Sequence, residues 1–357
     1  MAAVFSGSYL PSDVQFVLQT LELTPTDIAD TERLIQSGQK HYSQMLSAEP
    51  VPSPQHMAIY RQALHQHGQR MAQDIQALAL ALKPLAVDGE ITLASFVRAG
   101  LPVAVLLARA LREMGVRCTH YGISIIRDKG LDQQALDFIC QQHNPASLFW
   151  VDGWTGKGAI AGELARSLAN DSRFSGEPRL VTLADPCGRS WLSASAEDWL
   201  IPSGVLGATV SGLVSRSVLT ESGYHGCVNC QHLMAQDVTQ SFIEHLDSLR
   251  QGLDTVSASQ PWTASQKAQL QQHSQQVISQ FAARYGVDNI NHIKPGIAEA
   301  TRAVMRRVPE HVFVRDKHDP DVQLLLTLAA ERGLVIEEAE DDLANYRALT
   351  IIKRLTR

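Results

Sequence analysis

Residues 148–160 read LFWVDGWTGKGAI, and this stretch decides the fold. Its uninterrupted apolar run predicts a buried strand that ends at Asp152. The Gly- and Thr-containing turn that follows leads directly into an amphipathic segment, which predicts a helix over residues 158–169. A strand, a tight turn and a helix in this order are typical of a βαβ unit in a parallel sheet.

The turn over residues 152–159 has the composition of an anion-binding loop. Glycines let backbone N–H groups converge on an anion, and a helix N-terminus adds a favourable dipole. Thr155 offers a hydroxyl donor, Lys157 a positive charge, and Asp152 a carboxylate for ribose hydroxyls or a metal ion. It is not a Walker A loop, since Val151 stands where that motif requires glycine, and its glycine spacing does not match the dinucleotide fingerprint. A strand–turn–helix corner without a ligand is the alternative.

The same alternation of apolar runs and amphipathic segments extends on both sides of this stretch. The predicted strands are 91–97, 118–126, 147–151 and 179–184, and the predicted helices are 102–114, 131–142 and 158–169. Right-handed crossovers place the carboxyl ends of such strands at one edge, where ligands of open α/β sheets bind. The loops that start near residues 98, 127 and 152 are therefore the candidate binding loops.

The rest of the chain is predicted to be helical at first and to end in a second α/β unit. Residues 14–21 and 57–82 read as helices, and a Gln- and Ser-rich helical segment covers 237–285. The final unit is predicted from helices at 296–307 and 320–332 and strands at 311–315, 334–337 and 346–353. The predicted organisation is an α/β domain with an N-terminal helical region (1–236), a helical connector (237–290) and a small α/β domain (291–357).

Composition and charge exclude several classes of protein. A net charge of −6 argues against a generally basic nucleic-acid coat, although it leaves room for a local basic patch. The N-terminus has no charged segment of the secretory type, and the longest uncharged run, near residues 200–214, is too short and polar for a bilayer. Five cysteines scattered over the chain fit a reducing compartment. We therefore expect a cytoplasmic protein without a membrane partner.

A second loop strengthens the interpretation of residues 152–159. Residues 96–102 read FVRAGLP, follow the first predicted strand of the sheet and lead into a helix. The two loops resemble the pyrophosphate and phosphate loops of phosphoribosyltransferases, although the usual motif has two adjacent acids and this chain has Asp152-Gly153. The residues that the resemblance places against phosphoribosyl pyrophosphate are Arg98, Ala99, Gly100, Gly153, Trp154, Thr155, Gly156, Lys157, Gly158 and Ala159.

Five segments carry a wider resemblance to one family. Residues 7–14, the Arg98 loop, residues 120–130, the Asp152 loop and residues 210–216 resemble the phosphoribosyltransferase-like family of tellurite-resistance and stress gene clusters. Some members of this family are named cysteine protease StiP. The resemblance implies an α/β fold, a phosphoribosyltransferase-like parallel sheet with flanking helices.

The expected activity is that of a phosphoribosyltransferase-like glycosyltransferase. It would bind phosphoribosyl pyrophosphate with Mg²⁺ and transfer phosphoribose to an unknown base-like acceptor, by stabilising the leaving group rather than through a protein nucleophile. Asp152, Arg127 and Lys129 are the candidate catalytic residues, the last two in a mobile basic loop that would close over pyrophosphate. A solvated charged turn is the alternative for that loop.

Residues 225–232 read HGCVNCQH and have a metal-like composition. A Cys-x-x-Cys with flanking histidines can bind zinc or exchange thiols, but strong zinc sites add a second, distant ligand pair. The prediction therefore assigns no metal ligands, and reduced thiols in a loop are the alternative. The protease name would make Cys227 with His225 the nucleophile and its partner.

The C-terminal unit resembles the small α/β RNA-binding domain of Pelota and its ribosomal-protein relatives. The matching residues are Gly296, Glu299 and Arg302, on the first helix of that unit. A helix N-terminus at Gly296 could receive a phosphate, and Glu299 and Arg302 share one helix face. RNA is thus a candidate partner, and packing or homodimer contacts are the alternative use of this domain.

Two other functions stay open beside the transferase. A nucleotide-sensing or RNA-binding regulator would keep the loops without turnover, as the missing second acid suggests. A cysteine protease is the third interpretation.

Overall fold

The structure is a computed structural model that describes residues 4–354. Ten α-helices form within these residues: α1 (Ile28–Gln36), α2 (Pro54–Leu82), α3 (Gly100–Glu113), α4 (Gln133–Gln142), α5 (Ala159–Leu168), α6 (Pro202–Val205), α7 (Thr239–Gln251), α8 (Ala264–Arg284), α9 (Ile297–Arg306) and α10 (Gln323–Glu331).

Fourteen strands form in the same residues. They are β1 (Gln15–Phe16), β2 (Gln19–Thr20), β3 (Glu90–Phe96), β4 (Arg117–Ile123), β5 (Ile125–Ile126), β6 (Gly130–Leu131), β7 (Leu148–Val151), β8 (Leu180–Ala184), β9 (Leu192–Ser195), β10 (Gly226–Cys227), β11 (Ile293–Pro295), β12 (Pro309–Val314), β13 (Ile336–Glu338) and β14 (Ala348–Ile352).

The main sheet has six parallel strands in the order β1-β4-β3-β7-β8-β9. Strands β3 and β7 are neighbours, with Ser95 opposite Val151, so the loops that follow them start side by side. Helices α2, α3 and α7 pack together on one face, and the core of the other face includes Leu136 of α4 and Leu164 of α5. The predicted α/β class with a parallel sheet and flanking helices is confirmed.

The predicted helix over residues 14–21 is wrong. Phe16 belongs to β1, which pairs in parallel with β4 at the sheet edge, and β2 pairs with β10. Val14, Phe16 and Leu18 pack into one core cluster and Val17 into another. Side chains that alternate between two buried faces are typical of a strand, and a short apolar run does not reveal this period.

Three further differences concern strands. The predicted strand 118–126 ends at Ile123, and residues 125–131 instead form the β5–β6 hairpin. Strands β9 and β11 were not predicted at all. Each is at most four residues long and forms the outer strand of its sheet, where a clear apolar pattern is not required.

The C-terminal domain is a mixed sheet in the order β11-β14-β12-β13, covered by α9 and α10. Strand β14 runs antiparallel to β11 and β12, and β13 runs parallel to β12. Helix α8 packs on this sheet through Phe281, whose ring centroid lies 5.0 Å from that of Phe313. The predicted small C-terminal α/β domain is confirmed.

A buried carboxylate joins this domain to the main sheet. Asp198, from the loop after β9, accepts the backbone N–H of Ile297 with both oxygens at 3.0 Å and that of Arg347 at 2.9 Å. Burial raises the pKa of Asp198 to about 6 in spite of these donors. Because Ile297 is the first residue of α9, the first domain caps this helix and fixes its position.

No helix among residues 4–354 combines the length and the apolar character that crossing a membrane requires.

Candidate functional site

A cleft of about 600 Å³ lies between the carboxyl edge of the main sheet and the C-terminal domain. Its walls come from the loops after β3 and β7, from α9, and from the segment between residues 28 and 50. A cavity of this size holds a small ligand or a short stretch of a polymer.

Most of the charged side chains in the wall of the cleft are cations. Nine cations and three acids line it: Arg98, Arg127, Lys157, Arg216, Lys294, Arg302, Arg306, Arg307 and Arg332, with Glu49, Asp152 and Glu299. The whole chain has a net charge of −6, so its cations are concentrated here. A cavity lined mainly by one sign of charge attracts ligands of the opposite sign.

Burial and mutual repulsion weaken the protonation of these cations. Burial, followed by the charge of Arg98, lowers the pKa of Arg306 to about 9. Burial also lowers the pKa of Lys294 to about 8. An anion in the cleft would offset both effects, because a nearby opposite charge favours the charged form.

Asp152 lies at the mouth of the β7 loop, as its position at a strand end predicts. Its Oδ1 accepts the backbone N–H of Gly153 at 2.8 Å. Burial raises its pKa to about 7, while Arg302 acts in the opposite direction and Glu299 in the same one. Asp152 is therefore a carboxyl group that titrates near neutrality rather than a permanently charged ligand.

The two polar side chains of the loop are occupied within the protein. The Thr155 hydroxyl donates to Asp185 and accepts from the Cys187 thiol at 3.1 Å. The Lys157 ammonium donates to the carbonyls of Ile290 and Ile293 in the C-terminal domain, and burial lowers its pKa to about 7. Both side chains fix the loop in place, instead of being free to bind a phosphate.

Other residues of the predicted loops lie in close contact. The indole of Trp154 faces the guanidinium of Arg302 at 4.6 Å, and the Gly156 carbonyl accepts the Tyr346 hydroxyl at 2.7 Å. Gly158 caps α5 with a left-handed backbone at φ 79°, directly before Ala159.

The loop after β3 meets the loop after β7 backbone to backbone. A Cβ at Gly100 would overlap the carbonyl of Val151, and one at Gly153 would lie 2.9 Å from the carbonyl oxygen of Ala99. The sequence predicted that the two loops lie at the same edge of the sheet, and in the structure their backbones are in contact.

The basic residues near 127 have separate positions. Arg127 lines the cleft, with its guanidinium 5.1 Å from the ring of Tyr42, whose hydroxyl accepts the Arg127 backbone N–H at 2.9 Å. Lys129 is exposed in the β5–β6 turn and is not part of the cleft wall.

Two of the three predicted RNA-binding residues line the cleft, and the third contacts Asp198. Glu299 and Arg302 line the cleft, and a Cβ at Gly156 would lie 2.8 Å from Glu299 Cγ. Gly296 precedes α9, whose first amide is bound by Asp198. The carboxylate thus occupies the place that the sequence assigned to an RNA phosphate.

The residues around Asp152 do not fit a magnesium site held by the protein. Within the part of the chain that the structure describes, no three His, Cys, Asp or Glu side chains come close enough together to hold a metal ion. The charged neighbours of Asp152 are one further carboxylate, Glu299, and one guanidinium, Arg302, so an arginine already offsets part of the negative charge of the two acids.

The two residues of the predicted cysteine–histidine pair have other partners and buried surroundings. Cys227 is buried in β10, and burial raises its pKa to about 12. His225 Nδ1 instead lies 2.8 Å from the Ser124 hydroxyl, and burial lowers the pKa of this histidine. Burial thus disfavours both the thiolate of Cys227 and the imidazolium of His225 in this arrangement.

Sequence reasoning missed Glu49, which lines the cleft, and its contacts with the segment that follows β10. Glu49 binds Arg98 through two hydrogen bonds of 2.5 and 3.1 Å, and its carbonyl accepts Nε2–H of His232 at 3.0 Å. Burial raises the pKa of the Cys230 thiol, Arg98 and Arg306 act to lower it, and Glu49 acts to raise it. The Cys-x-x-Cys was a visible signal for Cys230, but nothing in the sequence relates Glu49 to it.

Comparison with known proteins settles the family. A model of the family described as tellurite-like stress resistance cysteine protease StiP matches residues 7–247. The chain belongs to the StiP family. A protein of Acinetobacter baylyi named cysteine protease StiP is 47% identical over 365 residues, which cover 98% of this chain and 95% of that protein.

The C-terminal part of this StiP-family chain has a match of its own. Residues 272–354 match the Pelota RNA-binding domain. The predicted resemblance to both families is confirmed.

The prediction of a phosphoribosyltransferase is wrong. The family and the Acinetobacter relative are named for a cysteine protease, which is a hydrolase and not a glycosyltransferase. Phosphoribosyl pyrophosphate, its acceptor and Mg²⁺ were expected because of that activity, so nothing now supports them as ligands.

Solved structures do not restore the transferase prediction. HGPRT-ase from Leishmania tarentolae in complex with GMP is 17% identical over 38% of this chain and 71% of that one, at a TM-score of 0.25. Hypoxanthine phosphoribosyltransferase from Trypanosoma cruzi is 15% identical over 38% and 66%, at 0.23. Scores this low carry no argument.

Proposed function

We propose that this chain is a cysteine-dependent peptidase with Cys230 as its nucleophile. The name shared by the family and by the near full-length Acinetobacter relative supports the class of reaction. The observation that carries the choice of Cys230 is the hydrogen bond that His232, two residues along the chain, donates to the cleft residue Glu49. Burial raises the pKa of Cys230, and the charges of Arg98 and Arg306 oppose this effect. Reactive cysteines occur in electropositive surroundings of this kind.

The other four cysteines have less suitable surroundings. Burial raises the pKa of Cys118 and Cys227 to about 12. Burial and then Asp185 raise that of Cys187, and Cys140 lies half-buried on α4 between charges of both signs. Cys230 is also buried, and burial is the main cause that raises its pKa. Catalysis therefore requires that the residues covering Cys230 move.

The reaction would proceed through a thioester. The Cys230 thiol passes its proton to the imidazole of His232, two residues along the chain and exposed, and the sulfur attacks the peptide carbonyl carbon. The C–N bond breaks as the imidazole gives this proton to the departing amine. Water then adds to the thioester, the C–S bond breaks, and the acid and the free thiol are released.

Serine substitutions at single cysteines test this assignment. We expect Cys230→Ser to lower hydrolysis of a fluorogenic acidic peptide on the order of a thousandfold or more. Cys140→Ser is the matched control and is expected to retain activity, with folding of each variant checked by urea unfolding. If Cys227→Ser alone removes the activity, the nucleophile is Cys227. If all five single variants keep it, the peptidase proposal is wrong.

We propose RNA binding as a second function, because residues 272–354 match an RNA-binding domain and α9 contributes cations to the cleft. The inward position of Arg302 means that a single-stranded segment would have to enter the cleft, since 600 Å³ cannot admit a duplex. Cations that contact phosphates supply salt-dependent affinity.

A gel shift with fluorescent single-stranded RNA tests the second function. We expect Arg302→Ala to weaken binding by roughly tenfold and to reduce the salt dependence by about one ion. Arg284→Ala is the matched control, because Arg284 lies on α8 and pairs with Asp342 outside the cleft. An equal loss in both variants, or no binding by the wild type, would contradict RNA binding at this face.

A further inference from the structure

The Arg98 side chain is only 5% exposed, which is unusual for a guanidinium. Its NH1 donates to Glu49 Oε2 at 2.5 Å and to the Val214 carbonyl at 3.1 Å, and its NH2 donates to Glu49 Oε1 at 3.1 Å. A cation buried to this extent requires an anion, because leaving it unpaired costs several kcal/mol. The anion beside Arg98 can be exchanged for another, but it cannot simply leave.

The surroundings of the Glu49 carboxylate are shaped for a group with two oxygens. Oε1 also accepts the Ala208 backbone N–H at 3.1 Å, and Arg306 lies 3.6 Å from the same oxygen. A Cβ at Gly207 would overlap Oε1, so the carboxylate occupies space that only a glycine leaves free. Directed donors, a second cation and a close-fitting wall are the properties of a binding site.

Glu49 itself belongs to an irregular segment. Residues 45–53 connect the short turn that ends at Gln44 with α2 and include Pro50 and Pro52. No regular backbone ladder holds this segment, and side-chain contacts such as those of Glu49 are the ties that can be released.

The backbone of Glu49 contacts His232, one of the two candidate catalytic residues. Its carbonyl accepts a hydrogen bond from His232, and its carboxylate raises the pKa of Cys230 while Arg98 and Arg306 lower it. One residue thus presents a peptide carbonyl to the imidazole and an acidic side chain to the arginines. A bound acidic peptide would make the same two contacts.

We infer that Arg98, Arg306 and the Ala208 amide form a carboxylate-binding subsite, which Glu49 fills from within the chain and an acidic residue of a peptide substrate takes over. This inference extends the proposed peptidase function. It depends on that function only in treating the bound acidic peptide as a substrate. The excess of cations along the cleft favours an acidic peptide over a neutral one. Displacement of Glu49 would also release the hydrogen bond that His232 donates to its carbonyl.

Alkylation of Cys230 measures whether Glu49 covers it. The full chain is treated with iodoacetamide and the rate of labelling at Cys230 is followed by peptide mass spectrometry. We expect Glu49→Ala to raise this rate at least about tenfold, because a less buried thiol beside two cations ionises more readily. Glu197→Ala is the matched control, since Glu197 is 59% exposed and pairs with Arg70 away from the cleft. An unchanged rate in folded Glu49→Ala overturns the covering role.

Rescue of the same variant tests the subsite itself. We expect propionate, and the peptide acetyl-Gly-Glu-Gly-amide, to raise the melting temperature of Glu49→Ala by at least about 2 °C more than that of the wild type. The matched peptide with Gln in place of Glu is expected to have no such effect. If only phosphate stabilises the variant, the subsite does not select acidic peptides. If no anion does, there is no subsite. If Glu49→Ala does not fold, Glu49→Ser, which also vacates the subsite, is used in its place.

Neither the rate of Cys230 alkylation nor the shift in melting temperature depends on peptide cleavage. Repeating the rescue with Cys230→Ser/Glu49→Ala separates the two proposals. Stabilisation by propionate in this double variant supports the subsite even where Cys230→Ser leaves hydrolysis intact. Its loss there overturns a subsite built from Arg98, Arg306 and Ala208 alone.

Discussion

Replacing Gly100 with alanine is expected to destabilise the chain by about 3 kcal/mol, at the upper end for overpacking. A Cβ at this position would overlap the Val151 carbonyl and lie 3.1 Å from the Cα of Asp152. These are backbone atoms of the neighbouring loop, so no side chain can rotate away. The substitution has to move the β3 and β7 loops apart, and both loops form the cleft wall.

Urea unfolding of Gly100→Ala and Gly162→Ala checks this expectation. Both glycines lie in helices, where alanine is intrinsically favoured by about 1 kcal/mol. A Cβ at Gly162 would meet only the end of the flexible Arg166 side chain, at 3.5 Å. Gly162→Ala is therefore expected to be neutral or stabilising. If both substitutions change the free energy of unfolding equally, the contact between the two loops does not exclude a Cβ at residue 100.

Replacing Arg98 with methionine is expected to cost about 3–5 kcal/mol at pH 7, because it leaves the Glu49 carboxylate without its main partner. Although burial acts to raise the pKa of Glu49, Arg98 and then Arg306 hold it at about 2, against an ordinary value of 4.5. This depressed pKa corresponds to roughly 3 kcal/mol of stability. That stability is fully present above pH 4.5 and is lost as the pH falls through 2.

The pH dependence separates this effect from loss of packing. In Arg98→Met the deficit is expected to shrink as the pH falls from 7 to 4, because a protonated Glu49 needs no cation. The double variant Arg98→Met/Glu49→Gln is expected to recover at least half of the loss at pH 7. Arg33→Met, which breaks an ion pair whose two side chains are each 59% exposed, is the control and should change stability little. A deficit that is independent of pH would contradict the ion-pair explanation.

Much of the main sheet was predictable, because its buried strands have strong apolar runs. The strands β3, β7 and β8 and the helices between them lie within two residues of their predicted bounds. Ser53 caps α2 and Pro54 opens it, which follows the usual preferences at helix starts. Residues 14–21 were misassigned because a short apolar run fits two periods.

The binding loops were predictable and the cleft was not. The ends of the predicted strands indicated that Arg98 and Asp152 lie in neighbouring loops of one site, since parallel strands place their carboxyl ends together. No local pattern shows that Arg302 faces Trp154, or that Glu49 reaches Arg98, because these contacts join distant parts of the chain. The same limit applies to Thr155 and Lys157, whose partners within the protein, Asp185 and Ile293, come from later segments of the chain.

The cap that Asp198 provides for α9 also bears on how the chain is made. Asp198 precedes Ile297 by 99 residues, so it leaves the ribosome well before the helix that it caps. The first domain can then fold before α9 emerges, and it offers the emerging helix a ready acceptor for its first amide. The C-terminal domain, which is synthesised last, can therefore fold against the main domain. The cleft is completed only when the C-terminal domain adds its arginines, Arg302, Arg306 and Arg307.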